Sequence, residues 1–246
     1  MGKLIGLLGN VLFNFKRKQL PEKINRILII RSGGIGDVLM TIPLVRAIKG
    51  KYPGSKLDYL TGNWSKGVLE GNKDINEVIS FEDEIVFKKK LFKILALIKD
   101  LKEKRYDLCF VLDKSWLWGV FAYLSCIKFR IGFDRFSEGF ANNLTIPYDG
   151  SKYELDYYMD IAGLIGIKKI DKNMLLDLSE KDKKFLDDFL LNNNLKNKKL
   201  IGIAAGGAEN PGQKMHVKRW PKEKYIEFVK LILKEKKNAA ILLFGG

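Results

Sequence analysis

The stretch Arg26-Ile27-Leu28-Ile29-Ile30-Arg31-Ser32-Gly33-Gly34-Ile35-Gly36-Asp37-Val38-Leu39-Met40-Thr41-Ile42-Pro43 decides the fold class. Its unbroken apolar run predicts a strand buried in a parallel sheet, with both faces covered. The run empties into a glycine-rich turn. An amphipathic helix over 38–49 is predicted next, with Val38, Leu39, Ile42, Val45 and Ile48 at helical spacing. Asp37 therefore sits where a strand gives way to a helix, the edge at which open α/β sheets bind ligands. Gly33, Gly34 and Gly36 let a ligand and the backbone come close there. Two uses of Asp37 stand side by side: a cap for the helix start and a carboxylate held against a substrate.

Working outward, strand and helix patterns alternate. Strands are predicted at 26–31, 56–60, 77–81, 107–112 and 129–132, and helices at 38–49, 88–104, 116–125 and 153–165. This is the pattern of an α/β domain on a parallel sheet. Residues 133–150, with glycines, asparagines and Pro147, read as a loop, and 166–180 as a crossing between domains. A second series follows: helix 180–192, strand 199–205, helix 221–235 and strand 239–244. The last residues, Ile241-Leu242-Leu243-Phe244-Gly245-Gly246, look like the opening of another βα unit. Two strands bury too little apolar surface to offset their ordering entropy. The reading therefore expects the chain to stop inside its second domain.

Of the 246 residues, 44 are Lys or Arg and 29 Asp or Glu, a formal charge of +15. Such an excess fits anionic partners or a lysine-rich composition throughout. Residues 1–31 hold seven Lys/Arg against one acid, Glu22, and lysines crowd 88–105. No nucleic-acid motif accompanies the charge. One histidine, His216, excludes a multi-histidine metal site, and Cys109 and Cys126 in apolar contexts speak against a disulfide framework. Leu4, Leu8, Val11, Leu12 and Phe15 share a helical face ahead of Lys16-Arg17-Lys18. This basic amphipathic segment, 1–23, is too short to span a bilayer. It reads either as an interfacial helix on an anionic leaflet or as a helix packed on the domain's own surface.

The Gly33–Asp37 turn lacks the third glycine of a dinucleotide fingerprint, and it lacks the Gly-Lys-Ser/Thr of a phosphate-binding loop. The twenty-residue acid, Asp58, lies inside a strand. A second constellation joins Gly206 and Gly207, after a strand, to Lys218-Arg219-Trp220-Pro221. Pro221 suits a helix start. Two cations beside free N–H groups make a diphosphate site; the alternative is a basic surface loop with Trp220 stapling the helix. Arg31 and Arg130 read as contacts to an anionic acceptor or as salt bridges at strand ends.

Taken in order, Ile27–Pro43, Tyr52–Leu60, Tyr106–Asp113, Arg130-Ile131-Gly132-Phe133 and Lys218-Arg219-Trp220-Pro221 resemble glycosyltransferase family 9, the heptosyltransferases of lipopolysaccharide core synthesis and their relatives. The resemblance runs from about residue 24 to the end. It implies a GT-B fold: two Rossmann-like doubly wound α/β domains, the acceptor-side domain at 24–175 and the start of a nucleotide-sugar domain, truncated, at 176–246. The family's general base falls on Asp37 and its donor-phosphate lysine on Lys218. The family's Asp-x-Gly-x-x-His motif has no counterpart here, and the loop from Gly207 to Val217 is long.

The resemblance implies inverting transfer from a nucleotide-sugar, such as ADP-heptose, to an anionic glycolipid acceptor. Asp37 would take the acceptor proton. Lys218, Arg219 and backbone N–H groups at Gly206 and Gly207 would stabilise the departing diphosphate. No D-x-D triplet occurs, and no metal is expected. The implied setting is cytoplasmic, peripheral on the inner face of the cytoplasmic membrane. The rival reading is a membrane-peripheral binding fragment without transfer activity.

Overall fold

The computed structural model describes residues 6, 8, 9, 20–82, 91–176, 178–205 and 219–245. The chain divides after Asp177 into two compact units.

The first unit contains β1 (Arg26–Ile30), α1 (Ile35–Leu39), α2 (Ile42–Lys51), β2 (Lys56–Gly62), a 3₁₀ turn (Asn63–Val68), β3 (Glu77–Phe81), α3 (Leu91–Glu103), β4 (Leu108–Val111), α4 (Trp116–Leu124), β5 (Phe129–Asp134), β6 (Leu144–Pro147) and α5 (Glu154–Leu164). Its strands form a six-stranded sheet in the order β3-β2-β1-β4-β5-β6. Every pairing is parallel. The apolar run of β1 is explained by what covers it. Ile27 and Ile29 pack with Leu44, Ile48 and Tyr158 of α2 and α5 on one face. Leu28 and Ile30 pack with Leu101, Trp118 and Phe121 of α3 and α4 on the other. All four side chains are fully buried, and each contributes about 1.5–3 kcal/mol of transfer free energy.

Two expectations need correction. The predicted helix 38–49 is two helices, because Met40 and Thr41 interrupt it. Pro43 lacks an N–H and is tolerated only in a first turn, so a new helix starts at Ile42. The Thr41 hydroxyl donates to the Val38 carbonyl at 2.7 Å. The predicted loop 133–150 contains a sixth strand, β6. It was illegible because it is only four residues long and ends in Pro147, which a sheet accepts only at an edge.

In the N-terminal segment, Gly6, Leu8 and Gly9 are helical. Gly9 lies so close to the Phe140 ring that a Cβ would collide with it.

The second unit holds α6 (Glu180–Asn192), β7 (Lys199–Ala204), α7 (Lys222–Glu235) and β8 (Ala239–Phe244), with β7 and β8 paired in parallel. Ser179 caps α6, its hydroxyl accepting from the Asp182 N–H at 3.2 Å. Neither α6 nor α7 has a fully buried residue. No helix among the described residues is long and apolar enough to cross a membrane.

Candidate active site

In the first unit the chain runs outward from β1 through β2 to β3, then returns to lay β4 on the other side of β1. The carboxyl ends of β1 and β4 are therefore neighbours at the point where strand order reverses, the place where open α/β sheets form ligand crevices. β1 delivers Arg31-Ser32-Gly33 there, and β4 delivers Leu112-Asp113-Lys114.

Arg31 is the hub. Its guanidinium lies 2.9 Å from Asp37 Oδ1 and 2.9 Å from Asp113 Oδ1. Its Nε donates to Tyr158 Oη at 3.1 Å. Asp113 also accepts from the Ser32 N–H at 2.6 Å and the Ser32 hydroxyl at 3.1 Å. The Tyr158 hydroxyl in turn donates to Glu154 Oε1 at 2.8 Å, and Lys114 pairs with that same oxygen. The Tyr148 hydroxyl reaches Glu154 Oε2 at 3.1 Å. Three carboxylates, a guanidinium, an amine and two phenols thus form one connected polar network at the sheet edge.

Burial separates the members. The side chains of Arg31 and Asp113 are 7% and 10% exposed, whereas that of Asp37 is 41% exposed. Burial alone pulls the Arg31 pKa down; the charges of Asp113, Tyr158 and Asp37 reverse this, and the net shift is upward. Burial pushes the Asp113 carboxyl up, against the pull of Arg31 and Ser32. Burial and the Arg31 charge bring Lys114 below the ordinary lysine value. Glu154 is raised by burial and lowered more by Lys114 and Tyr158, so it ends below the ordinary glutamate value.

The turn around Asp37 is locally dictated. Gly33 has φ 134°, a left-handed conformation, and a Cβ on it would lie 3.1 Å from Asp37 Oδ2. Gly34 caps α1, and its N–H donates to Asp37 Oδ2 at 3.2 Å. Asp37 is thus the third helical residue reaching back to the cap. A Cβ on Gly36 would meet nothing within 4 Å, so the turn is open beside Asp37. Among the described residues each Asp37 oxygen has one partner, Arg31 on Oδ1 and the Gly34 N–H on Oδ2. A carboxylate accepts about four hydrogen bonds, so lone pairs remain for an incoming hydroxyl.

Of the residues picked out in the sequence, Arg31, Gly33, Gly34, Gly36 and Asp37 are brought together at this edge. Arg31 is present as the ion pair at a strand end. Arg130 is not at this edge, and its expected acceptor role is corrected. It lies near the start of β5, 3% exposed, donating from Nε to the Ala141 carbonyl at 2.6 Å and from Nη1 to the Ile127 carbonyl. In a parallel sheet that is the edge opposite to Asp37. Lys218, Gly206, Gly207 and His216 lie outside the described residues. Arg219 is exposed beside Trp220, which precedes the Pro221 cap of α7. The Trp220 ring lies 5.4 Å from that of Tyr225, four residues into the helix, so the hydrophobic staple is present. Asp113, Glu154, Tyr158 and Lys114 were missed. Only Asp113 carried a signal: a carboxylate directly after an apolar strand, as Asp37 follows β1. Among the described residues there is no cluster of three or more His, Cys, Asp or Glu side chains able to hold a metal.

This geometry has relatives. The lipopolysaccharide heptosyltransferase 2 of Salmonella typhimurium is 26% identical over 236 residues, which are 90% of this chain and 63% of that protein. Among solved structures, the family 9 glycosyl transferase of Veillonella parvula superposes with a TM-score of 0.76 at 18% identity, covering 93% of this chain and 65% of that one. The E. coli ADP-heptose lipopolysaccharide heptosyltransferase II superposes with a TM-score of 0.68 at 24% identity, covering 90% and 64%. The chain thus has the parallel α/β architecture of the GT-B heptosyltransferases and spans a little under two thirds of the relatives it matches. The family model matches residues 94–246, more than half of the sequence, and the chain belongs to glycosyltransferase family 9 (heptosyltransferase).

Proposed function

We propose that this chain serves the inverting transfer of a heptose-like sugar from a nucleoside-diphosphate sugar to a lipopolysaccharide-type acceptor, with Asp37 as general base. The observation that carries this reading is the half-exposed Asp37 carboxylate, held at the strand-order reversal by a buried guanidinium. An acceptor hydroxyl donates its proton to Asp37 while its oxygen attacks the anomeric carbon. The bond from that carbon to the diphosphate oxygen breaks on the opposite side, which inverts the centre. Arg31 fixes the carboxylate's direction, so the base needs no reorganisation as the proton moves. The developing negative charge on the departing diphosphate falls to Lys218, Arg219 and the N–H groups of Gly206 and Gly207. The absence of a D-x-D triplet supports a reaction without a metal. The E. coli relative's name supports ADP-heptose as donor. The reaction belongs on the cytoplasmic side of the membrane, with the donor in solution and the glycolipid acceptor in the leaflet.

The test is transfer from ADP-heptose to a Kdo-terminated lipid A acceptor, followed by ADP release and the mass of the product. A heptosylated product that disappears with Asp37→Asn is expected. A product formed equally well without the Asp37 carboxylate overturns the assignment of the base. Binding of the acceptor without any ADP release favours the rival, a binding module.

A further inference from the structure

We propose that the face formed by α3 and α4 is a membrane-docking surface that seats in the hydrocarbon of an anionic leaflet. A groove of about 380 Å³ runs between these helices. Among the described residues no charged or polar side chain lines it; its walls include Phe81, Ile94, Ile98, Leu117, Trp118 and Leu124. Around it the surface is unusually apolar: Leu91 is 61% exposed, Phe92 88%, Leu95 51% and Leu124 51%. Contiguous exposed apolar surface of this kind marks an interaction site.

Charge selects a bilayer as the occupant. From Leu91 to Arg105 the chain carries Lys93, Lys99, Lys102, Lys104 and Arg105 against Asp100 and Glu103; Lys93 pairs with Glu82 and Lys104 with Glu77, so the positive charge beside Leu95 is that of Lys99 and Lys102. Lys99 and Lys102 follow Leu95 by four and seven residues, so they extend its stripe along the helix, where their stems lie on apolar surface and their amines reach headgroups. α4, Trp116–Leu124, has no charged residue at all. An apolar face rimmed by lysines suits an anionic leaflet.

Position supports the same occupant. α3 and α4 follow the carboxyl ends of the sheet, and Phe81, Leu91 and Leu117 meet in the groove at its end nearest the Asp37 edge. Gly9 abuts Phe140, whose ring lies 6.1 Å from that of Trp116 at the start of α4. The inference stands apart from the role of Asp37, because membrane binding is read without any sugar.

The test is sedimentation of the full 246-residue chain with vesicles of phosphatidylglycerol and phosphatidylethanolamine, and with neutral phosphatidylcholine vesicles. Binding to the anionic vesicles is expected, with quenching of tryptophan fluorescence by brominated acyl chains. Phe92→Asp is almost fully exposed and cannot disturb the core, which circular dichroism checks. It is expected to weaken partitioning about tenfold or more. Lys99→Glu with Lys102→Glu is expected to abolish the preference for anionic lipid, and Lys51→Ala, at the end of α2 on the other face of the sheet, to change nothing. Absence of vesicle binding overturns the proposal, as does a Phe92→Asp chain that binds like the parent. Loss of all binding on deleting residues 1–18, with no effect of Phe92→Asp, assigns docking to the N-terminal segment instead. A parent that is dimeric and becomes monomeric with Phe92→Asp, its vesicle binding unchanged, makes the face a self-association surface and overturns the proposal too.

Discussion

Arg31 and Asp37 face one another across the turn that joins β1 to α1, guanidinium to carboxylate at 2.9 Å, with one side chain buried and the other half open to solvent. The buried partner cannot swing away, since Asp113 and Tyr158 hold it from behind. A carboxylate so held is aimed rather than merely present.

Replacing Asp37 by Asn keeps the shape and the hydrogen bond from Gly34 but removes the base. Turnover is expected to fall by roughly 100-fold or more, with donor affinity little changed. Steady-state kinetics beside donor titration calorimetry checks this, and near-normal turnover speaks against general-base catalysis by this residue.

Asp113 predicts differently. Asp113→Ala leaves the Arg31 charge buried beside a half-exposed partner only. Removing one member of such a pair is expected to cost about 3–5 kcal/mol of stability. Urea unfolding measures it. The double variant Arg31→Leu with Asp113→Ala should recover part of the loss, because no unpaired buried charge remains. Equal stability of Asp113→Ala and the parent would show that the pair carries no weight.

Glu154 links the network to pH. Its carboxyl lies below the ordinary value near 4.5, so the folded chain holds that proton less tightly than the unfolded chain does. Its stabilising contribution is complete above that ordinary value and is lost as pH falls through the lowered one. Between about pH 7 and pH 3, the stability gap between the parent and Glu154→Gln should therefore shrink on the acid side. A gap that stays constant across the range contradicts this coupling.

Gly33 is required by conformation. Gly33→Ala forces a Cβ into a left-handed residue beside Asp37 Oδ2. A cost of about 1–3 kcal/mol is expected, together with loss of turnover from a displaced carboxylate. The corresponding change at Gly36, where a Cβ meets open space, should be milder in stability; thermal melts of the two variants compare them directly.

Lys218→Ala tests the other half of the reaction. If its amine meets the donor diphosphate, nucleotide-sugar binding weakens more than acceptor binding does. Separate calorimetric titrations with ADP and with an acceptor analogue distinguish this from a structural role, for which both fall together.

Local periodicity, read along the sequence, determined the strands β1 to β5, the helical stretches around them apart from the break at Met40 and Thr41, and the placing of Asp37 at a carboxyl edge. The reason is that a doubly covered strand must be apolar throughout, and a strand-to-helix turn with φ 134° at one residue must use glycine. What local pattern could not determine is which strands become neighbours. Asp113 stands 82 residues from Arg31 and Tyr158 stands 127 away; only the sheet order brings them to one guanidinium. The same order sent Arg130 to the far edge, although its sequence context, a basic residue within an apolar strand, resembles that of Arg31. The difference is one of strand end. Arg31 follows the last residue of β1, whereas Arg130 is the second residue of β5, and in a parallel sheet those two positions lie on opposite sides of the domain.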